Sequence, residues 1–182
     1  MNKDLLIIGA GIYGLVAKEI AESMGCFERI AFVDDAVKDP PKGIDVIGTT
    51  AEIEKLAIDY PNIVVAIGNP KARLELIERA EALDNCMVVS LISPYAYVSP
   101  SAKLGDGCII EPMAVVHTGC ELSRGCIISA GAVVNHCSVL CDGVHIDCNA
   151  TVPGNMLVSK GTKVCSGDVF QGEKLGTEIT CL

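Results

Sequence analysis

The chain has 182 residues, half of them hydrophobic, and a formal net charge of −9 at pH 7. That length fits one large or two small domains, the apolar fraction supports packed cores, and the acidic balance argues against a nucleic-acid partner. Its apolar runs are strand-length and the first leads straight into a glycine turn, so neither a membrane span nor a signal peptide is expected, and the protein is expected in the cytoplasm.

The first ninety residues alternate strand and helix patterns. Leu5–Ile8 reads as a buried strand, Ile12–Met24 as a helix with Leu15, Val16, Ile20 and Ala21 inward, and Ile30–Val33 as a second strand. Then come a short extended piece at Val46–Ile47, a helix over Ala51–Asp59, a strand at Ile63–Ile67, a helix over Lys71–Leu83 and a strand at Met87–Ile92. The alternation predicts an open parallel α/β sheet. Between the first strand and helix lies Gly9-Ala10-Gly11-Ile12-Tyr13-Gly14, a complete G-x-G-x-x-G, and Asp34 follows twenty residues after Gly14 at the end of the second strand. Glycines there allow a tight turn and close approach of a phosphate, while the helix N-terminus offers N–H groups and a positive dipole. Taken alone the fingerprint favours NAD. No domain for hydride transfer follows it, and a mononucleotide or nucleotide-sugar, with ribose or base held by Asp34 and Asp35, fits the short sheet better. The other reading of the glycines is strand-to-helix packing alone.

From residue 98 a six-residue period takes over. Aliphatic or aromatic residues stand at Val98, Leu104, Ile110, Val116, Leu122, Ile128, Val134, Leu140, Ile146, Val152, Val158, Val164 and Phe170, thirteen hexads in one register. The residue four places on is mostly small, as at Ala102, Cys108, Ala114, Cys120, Cys126, Ala132, Ser138 and Ala150. Neither a helix, with its 3.6-residue repeat, nor a flat strand, with a repeat of two, produces this; stacked hexapeptide coils of a parallel β-helix do. Three hexads of about 18 residues close one coil, with the aliphatic residue inside and the small one where the backbone turns. The expected division is therefore 1–93 and 94–182.

Ten cysteines suggest a disulfide scaffold until they are placed. Cys108, Cys120 and Cys126 fall on small interior positions and read as packing residues. His136, Cys137, Cys141, His145 and Cys148 have ligand chemistry, but no C-x-x-C pair occurs among them and the hexad register spreads them over different faces, so no metal site is expected.

A small Rossmann-like domain opening on G-A-G-x-x-G, then "FVDD" at Phe32–Asp35, "VAIGN" at Val65–Asn69 and "ISPYAYVSPSAKLGDG" leading into hexads resembles the sialic acid O-acetyltransferase family of left-handed β-helix acyltransferases. The layout is similar to its nucleotide-sugar N-acetyltransferases, which acetylate a 4-amino sugar on UDP or GDP. The resemblance implies a homotrimer with acetyl-CoA as co-substrate in a groove between adjacent β-helices. It also implies a nucleotide-sugar on the N-terminal domain, at Gly9, Gly11, Tyr13, Gly14, Asp34, Asp35, Gly68 and Asn69. In "NHCSVLCDGVHI", His136 matches the family's general base, and His145, nine positions later, matches the histidine that contacts acetyl-CoA. Ser166 is matched to the CoA-binding segment. One coil above His136, Gly154 matches the glycine whose N–H faces the oxyanion. The sequence departs from the pattern at Cys137, where an acidic residue normally follows the base, at Ser129 in place of Asn, at Tyr13 in place of His, and in the short stretch after Phe170. A non-catalytic nucleotide-sugar-binding trimer stays open for these reasons. A γ-carbonic-anhydrase-like metal enzyme is the remaining alternative, although His117, His136 and His145 are not spaced like its ligands.

Overall fold

The computed structural model describes residues 3–175, so the last seven residues of the second expected segment lie outside the described residues. The chain divides into two compact units, Met1–Leu91 and Ile92–Leu182.

The first unit runs β1 (Leu5–Ile8), α1 (Ile12–Met24), β2 (Ile30–Val33), β3 (Val46–Gly48), a 3₁₀ turn (Thr50–Glu52), α2 (Ile53–Leu56), β4 (Asn62–Val65), α3 (Pro70–Glu81) and β5 (Met87–Val88). The strands form one parallel sheet in the order β3-β2-β1-β4-β5. Every residue of β1 and β4 is buried, which is why both read as unbroken or nearly unbroken aliphatic runs. The strand order reverses at β1, with β2 on one side and β4 on the other, so the glycine loop after β1 opens at the sheet's switch point.

Three expectations need correction here. The buried face of α1 is Gly14, Ala17, Ile20 and Ala21, whereas Leu15 and Val16 are only half-buried; Gly14 faces the loop of Gly9 and sets the rotation of the helix. The helix expected over 51–59 is a 3₁₀ turn followed by one turn of α-helix, because Thr49 and Glu52 form a capping box that starts the segment tightly. The expected strand Met87–Ile92 is two elements: Val88 pairs with Ile63 of β4, while Leu91–Ile92 joins the coils of the second unit.

In the second unit, two-residue strands begin at Leu91–Ile92 and Tyr97–Val98 and recur every six residues to Lys163–Val164, with Met156–Val158 one residue longer. They stack in three sheets, each pairing residues one coil apart in parallel, as Val115 with Val133, Glu121 with Val139 and Ile127 with His145. The second residue of each strand points inward, and Ile110, Val116, Ile128, Val134, Leu140, Ile146, Val152 and Val158 are fully buried, each worth roughly 1.5–3 kcal/mol of burial. The small positions are buried too, but the cysteines there do more than fill space. Cys108 Sγ donates to Ser123 O (3.3 Å), Cys120 Sγ to Asn135 O (3.1 Å) and Cys126 Sγ to Cys141 O (3.4 Å). Ser138 Oγ does the same to Pro153 O at 2.8 Å. Each ties one corner to the coil above it, so carbonyls that the turn leaves over are satisfied.

The corners share one backbone device. A residue with positive φ recurs every six positions, at Gly107, Met113, Gly119, Gly125, Gly131, Cys137, Gly143, Asn149, Asn155, Gly161 and Gly167. Asparagine tolerates this region, but Met113 and Cys137 adopt it against the preference of a side chain bearing Cβ. After the last full coil the chain reverses, and Glu173–Lys174 pairs antiparallel with Met156–Leu157.

Candidate functional site

In the first unit the three motif glycines have different reasons to be glycine. Gly9 has φ +110°, and a Cβ there would stand 2.7 Å from Ala66 O; a Cβ on Gly14 would meet Gly9 O. Those two are required by the packing of β1, α1 and the end of β4. A Cβ on Gly11 would meet nothing within 4 Å, so the chain itself places no demand for glycine there. Open space beside a backbone at the head of α1 is where a phosphate would approach. Tyr13 lies half-buried in the first turn of α1.

Asp34 and Asp35 carry structural duties that spacing does not reveal. Asp34 Oδ2 accepts from Ala10 N, and Oδ1 from Ala36 N and Val37 N, all at 2.8 Å. Burial pushes this carboxyl up, yet the three backbone N–H groups outweigh it and hold the pKa below the ordinary value. Asp34 thus fixes the glycine loop from β2. Asp35 accepts from Thr50 N (2.8 Å) and Thr50 Oγ1 (2.7 Å) and anchors the 3₁₀ turn. Gly68 and Asn69 are exposed, and Asn69 caps α3 by accepting from Ala72 N at 3.0 Å. Beneath them lies a residue that sequence reading missed. Arg73 is fully buried and its Nη1 donates to Ile67 O (2.7 Å) and Gly68 O (3.0 Å), pinning the turn after β4.

In the second unit His136 is exposed at the corner after the strand Val133–Val134, with Asn135 Oδ1 accepting from its backbone N at 2.8 Å. Gly154 stands one coil on: a Cβ there would lie 2.7 Å from His136 Cε1 and 2.8 Å from Nε2. The imidazole therefore lies flush against bare backbone. The next residue, Cys137, has φ 57° and occupies a left-handed corner beside the base candidate.

His145 sits on a different sheet, in register between Ile127 and Lys163. Its Nε2 is 3.1 Å from Ser129 Oγ. Asp147 nearby has a carboxyl that burial pushes up, but hydrogen bonds from Lys163 and Cys148 N, with the charges of Lys163 and His145, bring its pKa down to about 2. His117 is exposed and meets the Tyr97 ring edge-on, centroids 6.4 Å apart. Ser166 is exposed, between the two stretches, Thr162–Cys165 and Asp168–Gln171, that line a depression of about 290 Å³ at the last coil. Among the described residues no group of three or more His, Cys, Asp or Glu side chains is arranged to hold a metal, and no helix is long and apolar enough to cross a membrane.

Residues 4–80 match the PglD N-terminal domain family, and residues 102–136 the bacterial transferase hexapeptide (six repeats) family. UDP-N-acetylbacillosamine N-acetyltransferase of Bacillus subtilis (strain 168) is 31% identical over 118 residues, 59% of this chain; the match spans about half, 51%, of that relative's length. The acetyltransferase domain of PglB from Neisseria gonorrhoeae FA1090, solved in complex with acetyl coenzyme A, superposes with a TM-score of 0.89 at 35% identity, covering 94% of this chain and 83% of that one. A mutant of perosamine N-acetyltransferase from Caulobacter crescentus, solved with CoA and GDP-perosamine, shares the fold at a TM-score of 0.61 and 23% identity, over 91% and 90% of the two chains. The chain belongs to the family of hexapeptide-repeat acetyltransferases that carry a PglD-type N-terminal domain.

Proposed function

We propose that this protein is an acetyl-CoA-dependent acetyltransferase acting on an amino group, or a hydroxyl, of a nucleotide-linked sugar. The observation that carries the reading is the packing of Gly154 on His136: an imidazole exposed at a corner and lying against backbone that no side chain covers. In the proposed reaction His136 accepts the proton as the sugar nitrogen attacks the thioester carbonyl. The Gly154 N–H faces the oxyanion of the tetrahedral adduct, and collapse expels the CoA thiolate, which takes up the proton. His145 and Ser166 contact acetyl-CoA, the second substrate. The nucleotide lies at the head of α1 against Gly11, with Asp34, Asp35, Tyr13, Gly68 and Asn69 around it, on a Rossmann-like unit; the coils wind left-handed as in the family's β-helix. The likeness to the gonococcal domain, solved with acetyl-CoA, and to the bacillosamine enzyme supports both substrate classes.

The test is incubation with acetyl-CoA and a panel of UDP- and GDP-linked amino sugars, read by mass spectrometry as a gain of one acetyl group. His136→Ala should lower kcat by about 10²–10⁴-fold with nucleotide-sugar affinity little changed. Tight nucleotide-sugar binding without acetylation of any sugar would instead favour a non-catalytic binding protein. We further propose a cytoplasmic homotrimer, since in this architecture a groove between two β-helices needs a second chain; light scattering showing a monomer at micromolar concentration would overturn the assembly.

A further inference from the structure

The turn that carries Gly154 is held from inside the coil by one buried hydroxyl. In the turns at 129–132 and 147–150 the fourth N–H reaches the first carbonyl directly, Ala132 N to Ser129 O and Ala150 N to Asp147 O, both at 3.0 Å. Among the described residues no such bond joins Met156 N to Pro153 O in the turn at 153–156. Ser138 Oγ stands between them instead: it accepts from Met156 N at 3.1 Å and donates to Pro153 O at 2.8 Å. An amide N–H only donates and a carbonyl only accepts, so the single hydroxyl proton has one place to go and the direction of both bonds is fixed. Ser138 is fully buried, where a hydrogen bond is stronger than in water. Asn155 N also ties the turn to the coil below by donating to His136 O at 2.9 Å.

Pro153 adds a second condition. One coil below it, the side chain of Asn135 accepts from His136 N at 2.8 Å, and Asp147 does the same for Cys148 N at 2.8 Å. Proline has no side-chain acceptor, and Gly154 N makes no hydrogen bond among the described residues. The N–H of the residue packed on the imidazole is therefore left available while its turn is clamped at both ends.

We propose that Ser138 is a positioning residue for the pair of Gly154 and His136. Its hydroxyl, set between Met156 N and Pro153 O, fixes the width of the turn and with it the place of the Gly154 N–H over the imidazole. A donor aimed at a developing oxyanion works only at the right distance, so a small change in the turn reaches the rate before it reaches binding. The effect on rate rests on the proposed acetyl transfer, whereas the geometry of the turn does not.

The test compares the full-length wild type with Ser138→Ala, Ser138→Cys and a control, Cys126→Ala, which removes a similar bond, Sγ to Cys141 O, from another corner. A crystal structure of Ser138→Ala should show Met156 N bonded directly to Pro153 O and Gly154 displaced across the His136 ring. On the sugar that the wild type acetylates, its kcat should fall about 10–10²-fold, with KM for both substrates within about twofold. Ser138→Cys keeps a weaker donor and acceptor and should fall between the two, so it decides the matter if the alanine variant does not fold. Cys126→Ala should lower the urea midpoint and leave kcat as it is. Wild-type kcat in either Ser138 variant would overturn the proposal, as would an unmoved Gly154 or an equal fall in kcat in the control. A wild type that acetylates no sugar would overturn the proposed function instead, and the crystal structure alone would then decide the role of Ser138.

Discussion

A Cβ placed on Gly154 would lie 2.7 Å from Cε1 of His136 and 2.8 Å from its Nε2, so the position of the imidazole depends on glycine one coil above it. His136 is exposed, and an added methyl therefore displaces the ring toward solvent more readily than it strains the coil. Gly154→Ala should lower kcat about 10²-fold, the usual cost of a misplacement near 1 Å, while the urea midpoint barely moves. A variant with normal kcat would show that the ring is not held where the reaction needs it.

Much of this was legible in the sequence because hexads impose a period that no other secondary structure shares: the strands of the second unit and the stacking of Gly154 on His136 both follow from counting. The glycine loop was legible for a similar reason, since a tight turn tolerates few residue types. What was hidden consists of side-chain polar contacts, near and far in sequence, that no periodicity encodes. Arg73 reads as one more charged residue of an amphipathic helix, yet it lies on the stripe of Ile77 and Ala80 and is buried with them; that shared helical spacing was the available signal. Spacing places Asp34 at the end of the second strand but cannot show that its oxygens accept three backbone N–H groups and so hold the glycine loop. The diagonal from Ser129 to His145 breaks the strict one-coil register, so counting by eighteen misses it.

Gly11 differs from Gly9 and Gly14 in facing open space, where the proposed nucleotide would lie. Gly11→Ala adds a methyl into open space, so thermal stability should stay within a degree or two, whereas nucleotide-sugar affinity should fall at least about tenfold if, as proposed, a phosphate lies there. Gly14→Ala should instead lower stability by about 1–3 kcal/mol, since its Cβ meets the Gly9 carbonyl. Calorimetric titration beside a thermal melt reads both. Unchanged affinity in a folded Gly11→Ala protein would place the nucleotide elsewhere.

Met113 holds φ 64° at a corner where the equivalent residues are mostly glycine or asparagine, and it is 73% exposed. Its side chain therefore gains little from burial while its backbone sits in a region that costs L-residues about 1–2 kcal/mol. Met113→Asn should raise stability by about 0.5–1 kcal/mol and shift Tm upward by a few degrees. A lower Tm would mean that the exposed methionine makes a contact the chain alone does not contain.

Asp147 makes stability fall in acid. Its carboxyl is lowered from 3.8 to about 2 by hydrogen bonds and charge that outweigh its burial, so the folded protein holds it ionised more strongly than the unfolded chain does. The contribution is fully present above 3.8 and is lost as pH falls through about 2. Because Lys163 is half-exposed, solvent screening reduces the effect to about 1–2 kcal/mol. Asp147→Asn should cost that amount at pH 7 and only a small part of it at pH 2, where about half of the wild-type carboxyl is protonated in the folded protein. Urea midpoints of the two proteins should accordingly converge between pH 4 and pH 2; a difference that stays constant across that range would mean that Asp147 acts by packing and not by charge.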